Sequence, residues 1–351
     1  MVRFFRVLNA VSSASRRGSK SLRSFQGNNM FYAGVALLFM MDPAAFVFFL
    51  VLIWLVLFLP SSGDPMSVVP RERFDLWPLS TSERRGLRAI SPLLNPISWL
   101  VLGLMVWRKI AWDLWAFVAG VFLVGFIGSW RVRSPRVWMP RLSGGGITQL
   151  IRKDLRQVLT ALDVYCALLI TVPAAYLRFT GELPADSHDP LTMLMIIVPS
   201  TLALTLFGLD GESGLTRYRL SPLRGWQIFA SKSVAYLIVT LVITAPLAPA
   251  AGLAGGCLAL VGGHWHSAKN PNPQFRWRFR SSPGLGPSLL QMILALLGFG
   301  LVSRLGAIWL PIPLALCAAS VWFVGWRFDR VPSEPLREPL PSGARHEIQV
   351  P

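Results

Sequence analysis

The chain has 351 residues, of which 53% are hydrophobic and only 15% charged, with a mean hydropathy of +0.51. A soluble domain carries about 25% charge, so this chain lacks the polar surface a soluble globule needs, and its apolar residues come in long blocks rather than in amphipathic alternation. The formal net charge of +17 sits in loops between those blocks; the positive-inside rule accounts for it without nucleic acid, and the chain reads as an all-α polytopic integral membrane protein.

Residues 1–29 form a basic tail with Arg3, Arg6, Arg16, Arg17, Lys20 and Arg23. The apolar run after it starts too late and runs too long for a signal peptide, so the tail is read as cytosolic. Residues 30–60 are apolar but broken at Asp42-Pro43. They make either one span with a kinked lead-in or a hairpin of two short helices. The next loop holds Arg71, Arg73, Arg84, Arg85 and Arg88. If it is cytosolic like the tail, an even number of crossings separates the two, which favours the hairpin. Spans at 90–107 and 110–130 flank the turn Arg108-Lys109, and Asp113 is read as an interfacial residue beside it. Residues 30–142 thus make a first membrane half of about four spans.

Ser143-Gly144-Gly145-Gly146 is a flexible joint. With residues up to 160 it links the halves. Ile147, Leu150, Ile151, Leu155 and Val158 recur at helical spacing, while Arg152, Lys153 and Arg156 fall largely on the other side. That pattern predicts an amphipathic helix on the inner membrane surface rather than a span.

The second half, residues 161–327, carries about six spans. The first is expected at 162–177. The loop 181–190 has Glu182, Asp186 and Asp189 and no lysine or arginine, which suits the outer side. A span at 191–209 then returns to a polar cytosolic stretch. Further spans are expected at 228–248 and at 250–263, the latter rich in Gly and Ala for close packing. Spans at 289–303 and 307–326 turn around Arg304. The basic loop between these pairs alternates aromatic and basic residues from Phe275 to Arg280, a pattern read as binding anionic lipid headgroups rather than RNA. Residues 328–351 read as a disordered cytosolic tail. Both termini are expected in the cytosol, with about ten spans in total.

The cytosolic stretch after the second of these spans contains Arg217-Tyr218-Arg219-Leu220-Ser221-Pro222-Leu223. The first half holds an echo, Arg73-Phe74-Asp75-Leu76-Trp77-Pro78-Leu79. Both read R-[FY]-x-L-x-P-L, and at the same offset Arg88 falls on Lys232. Positive-inside topology does not demand a shared wording, so the halves are read as related repeats. Asp210 and Glu212 open the second copy and are placed either to cap a helix or to pair with nearby arginines.

No P-loop, G-x-S-x-G or H-E-x-x-H pattern occurs. His264-Trp265-His266 lacks the further ligands a metal needs and is read as structural or headgroup-facing. His188-Asp189 is too isolated for a catalytic dyad. Cys166, Cys257 and Cys317 lie in apolar blocks with no metal-ligand spacing and no disulfide framework. The spans hold few ionisable residues, Asp113 and Asp163 lying near span ends, which argues against an ion-coupled carrier. An energy source for transport would then lie outside the chain.

The amphipathic helix, the six spans and the wording from Phe207 to Leu237 resemble the membrane-spanning subunit of type-2 ABC exporters, the ABC-2-type permeases. The resemblance covers residues 147–326. It implies that 147–158 is an elbow helix and that the loop after the second span carries a coupling helix docking on a separate ATPase. That coupling helix would run over 223–230, started by Pro222, with Trp226 and Phe229 making the buried partner contacts. Leu220 and Leu223 would frame it, and Arg217, Arg219 and Arg224 would meet acids or lipid phosphates. In the first half, Arg73, Leu76, Pro78 and Leu79 would be a weaker, degenerate counterpart, without a clear elbow before it. The resemblance further implies no cofactor in this chain, with ATP bound by the partner, a homodimer or a second permease, and a bacterial inner membrane. The exported substrate is not specified. The alternatives are a non-transporting membrane scaffold and, without a visible nucleophile or metal cluster, a lipid-modifying membrane enzyme.

Overall fold

The computed structural model describes residues 145–210, 223–269 and 284–330, together with Ser80, Glu83 and Tyr218. The expected spans of the first half, Asp113, Arg73, Leu76, Pro78 and Leu79 lie outside the described residues, as do Arg217, Leu220, Pro222, the Phe275–Arg280 alternation and the tail beyond 330.

The helices of the second half follow in chain order. Helix α1 (Gly146–Val158) opens directly from the glycine joint. A short turn through Thr160 and Ala161 leads into α2 (Leu162–Thr180). Gly181 stops α2 in the left-handed conformation at φ 77°, and the Glu182 N–H returns to the Leu177 carbonyl at 2.9 Å. Glycine tolerates that conformation because it has no Cβ. Helix α3 (His188–Thr205) follows, then α4 (Gly225–Thr244), α5 (Pro249–Lys269), α6 (Leu285–Leu305) and α7 (Pro311–Arg330). Pro173 and Pro199 are carried inside α2 and α3.

Helices α2, α4 and α6, together with the stretch Ala307–Arg330 that ends in α7, are long and apolar enough to cross a membrane. Large side chains such as Phe179, Leu297 and Trp322 stay exposed on them at 84%, 59% and 64%. Such a surface is unsuited to water and suited to lipid. The chain is a multi-pass, all-α membrane protein.

Helix α5 is the hub, packing on α3, α4, α6 and α7. Its small residues explain how four neighbours fit. A Cβ on Gly263 would lie 2.5 Å from the Ala203 carbonyl oxygen of α3. On α6, a Cβ on Gly298 would lie 2.5 Å from the Ala254 carbonyl oxygen of α5. In lipid there is no hydrophobic drive between helices, so close backbone approach of this kind supplies the packing energy.

Long-range bonds fix the two ends of the bundle. At one end, Arg178 of α2 donates to the carbonyls of Pro246 and, at 2.6 Å, Leu247 in the α4–α5 turn. At the other, the Ser267 hydroxyl of α5 accepts from the Phe207 N–H at 3.0 Å, and Asp329 of α7 accepts from the Gly225 N–H at 2.8 Å. The α4 and α7 backbones nearly touch there: a Cβ on Gly225 would stand 2.3 Å from the Gly325 carbonyl oxygen.

Three expectations change. No separate coupling helix spans 223–230, because Gly225 begins one unbroken α4 that runs through Thr244. Arg224 is the N-cap residue, in extended backbone, and its N–H donates to Gln227 Oε1 at 3.0 Å, half of a capping box that marks the helix start there. Residues 328–330, expected in the tail, belong to α7, where Phe328 packs against the core and Asp329 caps α4. Helix α5 extends to Lys269, well past the expected end at 263.

Candidate functional site

The sequence of α1 contains a contradiction. Its apolar face, Ile147, Leu150, Ile151, Leu155 and Val158, also includes Asp154 by helical spacing. An acid on a buried stripe is costly unless it finds a partner. In the structure Asp154 is 2% exposed and faces α4, where Ser231 Oγ donates to Asp154 Oδ2 at 2.7 Å and Lys232 Nζ to Oδ1 at 3.3 Å.

Lys232 is itself 2% exposed and is the centre of the site. Its ammonium donates to three oxygens on three segments: Asp154 of α1, the Leu206 carbonyl at the end of α3 (3.3 Å), and Asp210 Oδ2 in the following loop (2.5 Å). An ammonium has three donors, and all three are used. The rings of Phe207 and Tyr218 lie 5.3 and 5.4 Å from the nitrogen and complete the shell.

Asp210 accepts from four donors. Besides Lys232 these are Lys153, Gln157 Nε2 at 3.0 Å and Tyr218 Oη at 2.9 Å. Lys153 also reaches the Tyr218 hydroxyl at 2.5 Å and lies 4.7 Å over its ring. Burial alone would push the Asp210 carboxyl up, but the charges of Lys232 and Lys153 and their hydrogen bonds outweigh it and hold the carboxyl at about 2. Burial, with the carboxylates of Asp154 and Asp210 nearby, pushes the Tyr218 hydroxyl well above its usual range, so it remains a donor.

The junction therefore holds two lysines and two aspartates and is neutral as a unit. It ties α1, the α3 end, the following loop and α4 together. Of its charged members only Lys153 reaches the surface, with its side chain 44% exposed. The charges of Lys232 and Lys153 hold Asp210 as a carboxylate, and the site is an ionic joint between α1, the α3 end and α4.

Beneath the joint lies an aromatic layer. Phe229 is 1% exposed, with its ring 4.5 Å from Phe207, 6.1 Å from Phe328 and 5.8 Å from His264. Phe229, expected at a partner surface, is thus an internal packing residue, because its position on α4 points at the α3 end and α7. Leu223 and Leu150 pack partly buried against the same layer. Trp226 (40% exposed) and Arg224 do lie at the surface. On α1, Ile147, Lys153 and Arg156 are exposed, whereas Leu150, Ile151, Arg152 and Leu155 are half-buried.

His264 is 1% exposed, its Nε2 2.8 Å from Ser233 Oγ and its Nδ1 2.9 Å from Ser320 Oγ. It is a helix-bridging residue with both nitrogens engaged. No group of three or more His, Cys, Asp or Glu residues suited to a metal occurs among the described residues.

Asp210 is readable in sequence as a cap or an arginine partner; in the structure its partners are Lys153, Lys232, Gln157 and Tyr218. In sequence, Lys232 is marked only by its offset from Arg88. The signal that could have found the site was the pair of charges placed where pattern demanded apolar residues, Asp154 on the α1 stripe and Lys232 inside α4.

The first-half echo has one described element. Ser80, directly after Leu79, donates its N–H to Glu83 Oε2 at 2.8 Å, and the Glu83 N–H donates back to Ser80 Oγ at 3.2 Å. This is a reciprocal helix start. At the repeat offset Ser80 falls on Arg224 and Glu83 on Gln227, the pair that starts α4.

No protein-family model, curated protein or solved structure matches the chain.

Proposed function

We propose that the chain is the membrane-spanning subunit of an ABC-2-type exporter, driven by a separate ATPase chain in a bacterial inner membrane. In this reading α1 is the elbow helix at the inner surface, and the loop ahead of α4 receives the ATPase. The observation that carries the proposal is the Lys232 joint. A coupling surface must pass force to the spans without local give, and a buried ammonium with all three of its donors used is rigid in that sense. It binds the surface helix, the α3 end and α4 into one body at the end where Arg224, Lys269, Arg327 and Arg330 also gather.

Positive-inside topology puts that end in the cytosol, since the opposite end carries Glu182, Asp186 and Asp189. Trp226 and Arg224 offer the outward contact. The second membrane half would act with a further permease copy or a related chain, and the first half would supply a degenerate counterpart through Arg73, Leu76, Pro78 and Leu79. Binding and hydrolysis of ATP in the partner would move the joint as a unit and switch access to a path between the spans.

The test is co-expression with a Walker-motif ATPase encoded beside this chain, followed by co-purification and ATPase assay. Trp226→Ala with Arg224→Glu is expected to reduce ATPase retention about tenfold, as loss of an interface anchor does. Unchanged retention and unchanged stimulation would remove the coupling assignment. A chain that retains no ATPase in any form would favour the scaffold reading.

A further inference from the structure

The end of α7 carries two arginines that the ionic joint does not use. Arg327 Cζ lies 4.5 Å over the Trp265 ring of α5, and Arg330 Cζ lies 3.8 Å over the Trp326 ring. Among the described residues neither guanidinium has an ion-pair partner. Asp329, which lies between them, commits its Oδ1 to the Gly225 N–H. The cation–π contact holds each guanidinium over an indole face, and a guanidinium has five N–H donors with which to meet an anion.

Below these arginines the surface turns apolar without a break. Trp322 stacks on Trp326 at 6.5 Å and Phe323 at 6.4 Å. Trp322, Phe323, Leu316 and Ile312 are 64%, 48%, 48% and 43% exposed along α7. A ligand matched to this strip has an anionic head for the guanidinium edges and long apolar tails for the face beneath. A free phosphate would use the first feature and leave the second without purpose.

We infer that Arg327 and Arg330, held on Trp265 and Trp326, form a site for the phosphodiester headgroup of one anionic glycerophospholipid whose acyl chains lie along α7. This site lies on α7 and α5, beside the start of α4 that carries the proposed ATPase contact, and it stands whether or not the chain is a permease.

Native mass spectrometry of the full-length protein tests it. Detergent-purified protein is titrated with dioleoylphosphatidylglycerol, with dioleoylphosphatidylcholine and with inorganic phosphate. The wild-type chain is expected to keep phosphatidylglycerol in preference to phosphatidylcholine, and millimolar phosphate is expected not to displace it. Arg327→Gln with Arg330→Gln is expected to weaken phosphatidylglycerol retention about tenfold, in line with the attraction of two basic residues to an anionic surface. Arg304→Gln, at the opposite end, is expected to leave it unchanged. Equal retention of the two lipids, displacement by phosphate, or an equal loss in Arg304→Gln would overturn the assignment. Should the glutamine pair fail to fold, Trp326→Leu reads the same site by removing one platform. About a threefold loss then supports it and no loss overturns it.

Discussion

Helices α4 and α7 meet at Gly225 and Gly325, yet they solve opposite problems. Helix α4 takes a charge into the protein, with Lys232 2% exposed, and surrounds it with oxygens from other segments. Helix α7 keeps its charges outside, on the faces of tryptophans, and turns a broad apolar side away from the bundle. A residue of α4 is fixed by what it touches within the chain, whereas much of α7 is shaped by what lies around the chain. Substitution should therefore cost much on α4 and little on the outer side of α7.

The sharpest way to break this contrast is Lys232→Met. It leaves Asp154 and Asp210 close together with only Lys153 to oppose them, and removing one partner of a buried pair costs about 3–5 kcal/mol. A large fall in the melting temperature of detergent-purified protein is expected, partly recovered when Asp154→Asn is added. An unchanged melting temperature would mean that the joint does not hold the fold.

Gly225→Ala comes next. The added methyl would press on the Gly325 carbonyl oxygen and on Asp329, forcing the helices apart for up to about 3 kcal/mol. The same substitution at Gly300, where a Cβ meets nothing within 4 Å, is the control and should leave the melting curve in place.

Acid titration gives a graded version of the first test. The Asp210 carboxyl is held at about 2 when folded, below its unfolded value of about 3.9. Its contribution, about 2 kcal/mol, is therefore complete above pH 4 and is lost as pH falls from there through 2. Asp210→Asn should be less stable near neutrality and should flatten that acid limb. An acid limb identical in both proteins would assign the titration to other groups.

The smallest effect belongs to the outer side of α7. Leu316→Ala, at a residue 48% exposed, should change stability by less than about 0.5 kcal/mol. A loss comparable to that of a core leucine would show that a protein surface, not lipid, covers this face.

The sequence carried the helices well because hydropathy and glycine punctuation are local. The six helices of the second half overlap the apolar blocks expected for them, although α5 runs on to Lys269 and α7 to Arg330, and Gly181 ends α2 where a left-handed residue is needed. The joint was less legible because its bonds are tertiary. Asp154 and Lys232 are separated by three segments, and only folding shows that the breaks in two apolar patterns answer each other. Phe229 was misplaced for a related reason: an aromatic beside a basic motif suits a partner surface and a core equally, and the α3 end decided it. The unequal helix starts at Ser80 and Arg224 teach the same point. Serine and glutamate announce a cap in sequence, whereas Arg224 with Gln227 makes half of one and does not.

Helix α4 is pinned near both ends. Asp329 and Gly325 hold its first residue, while Arg178 grips the turn beyond its last. Its 20 residues span about 30 Å at the helical rise, comparable to the hydrocarbon layer. A rod fastened at both tips does not swing freely about either one. Tilting of one end relative to the other therefore requires either the whole rod to move or the Arg178 contacts with Pro246 and Leu247 to open.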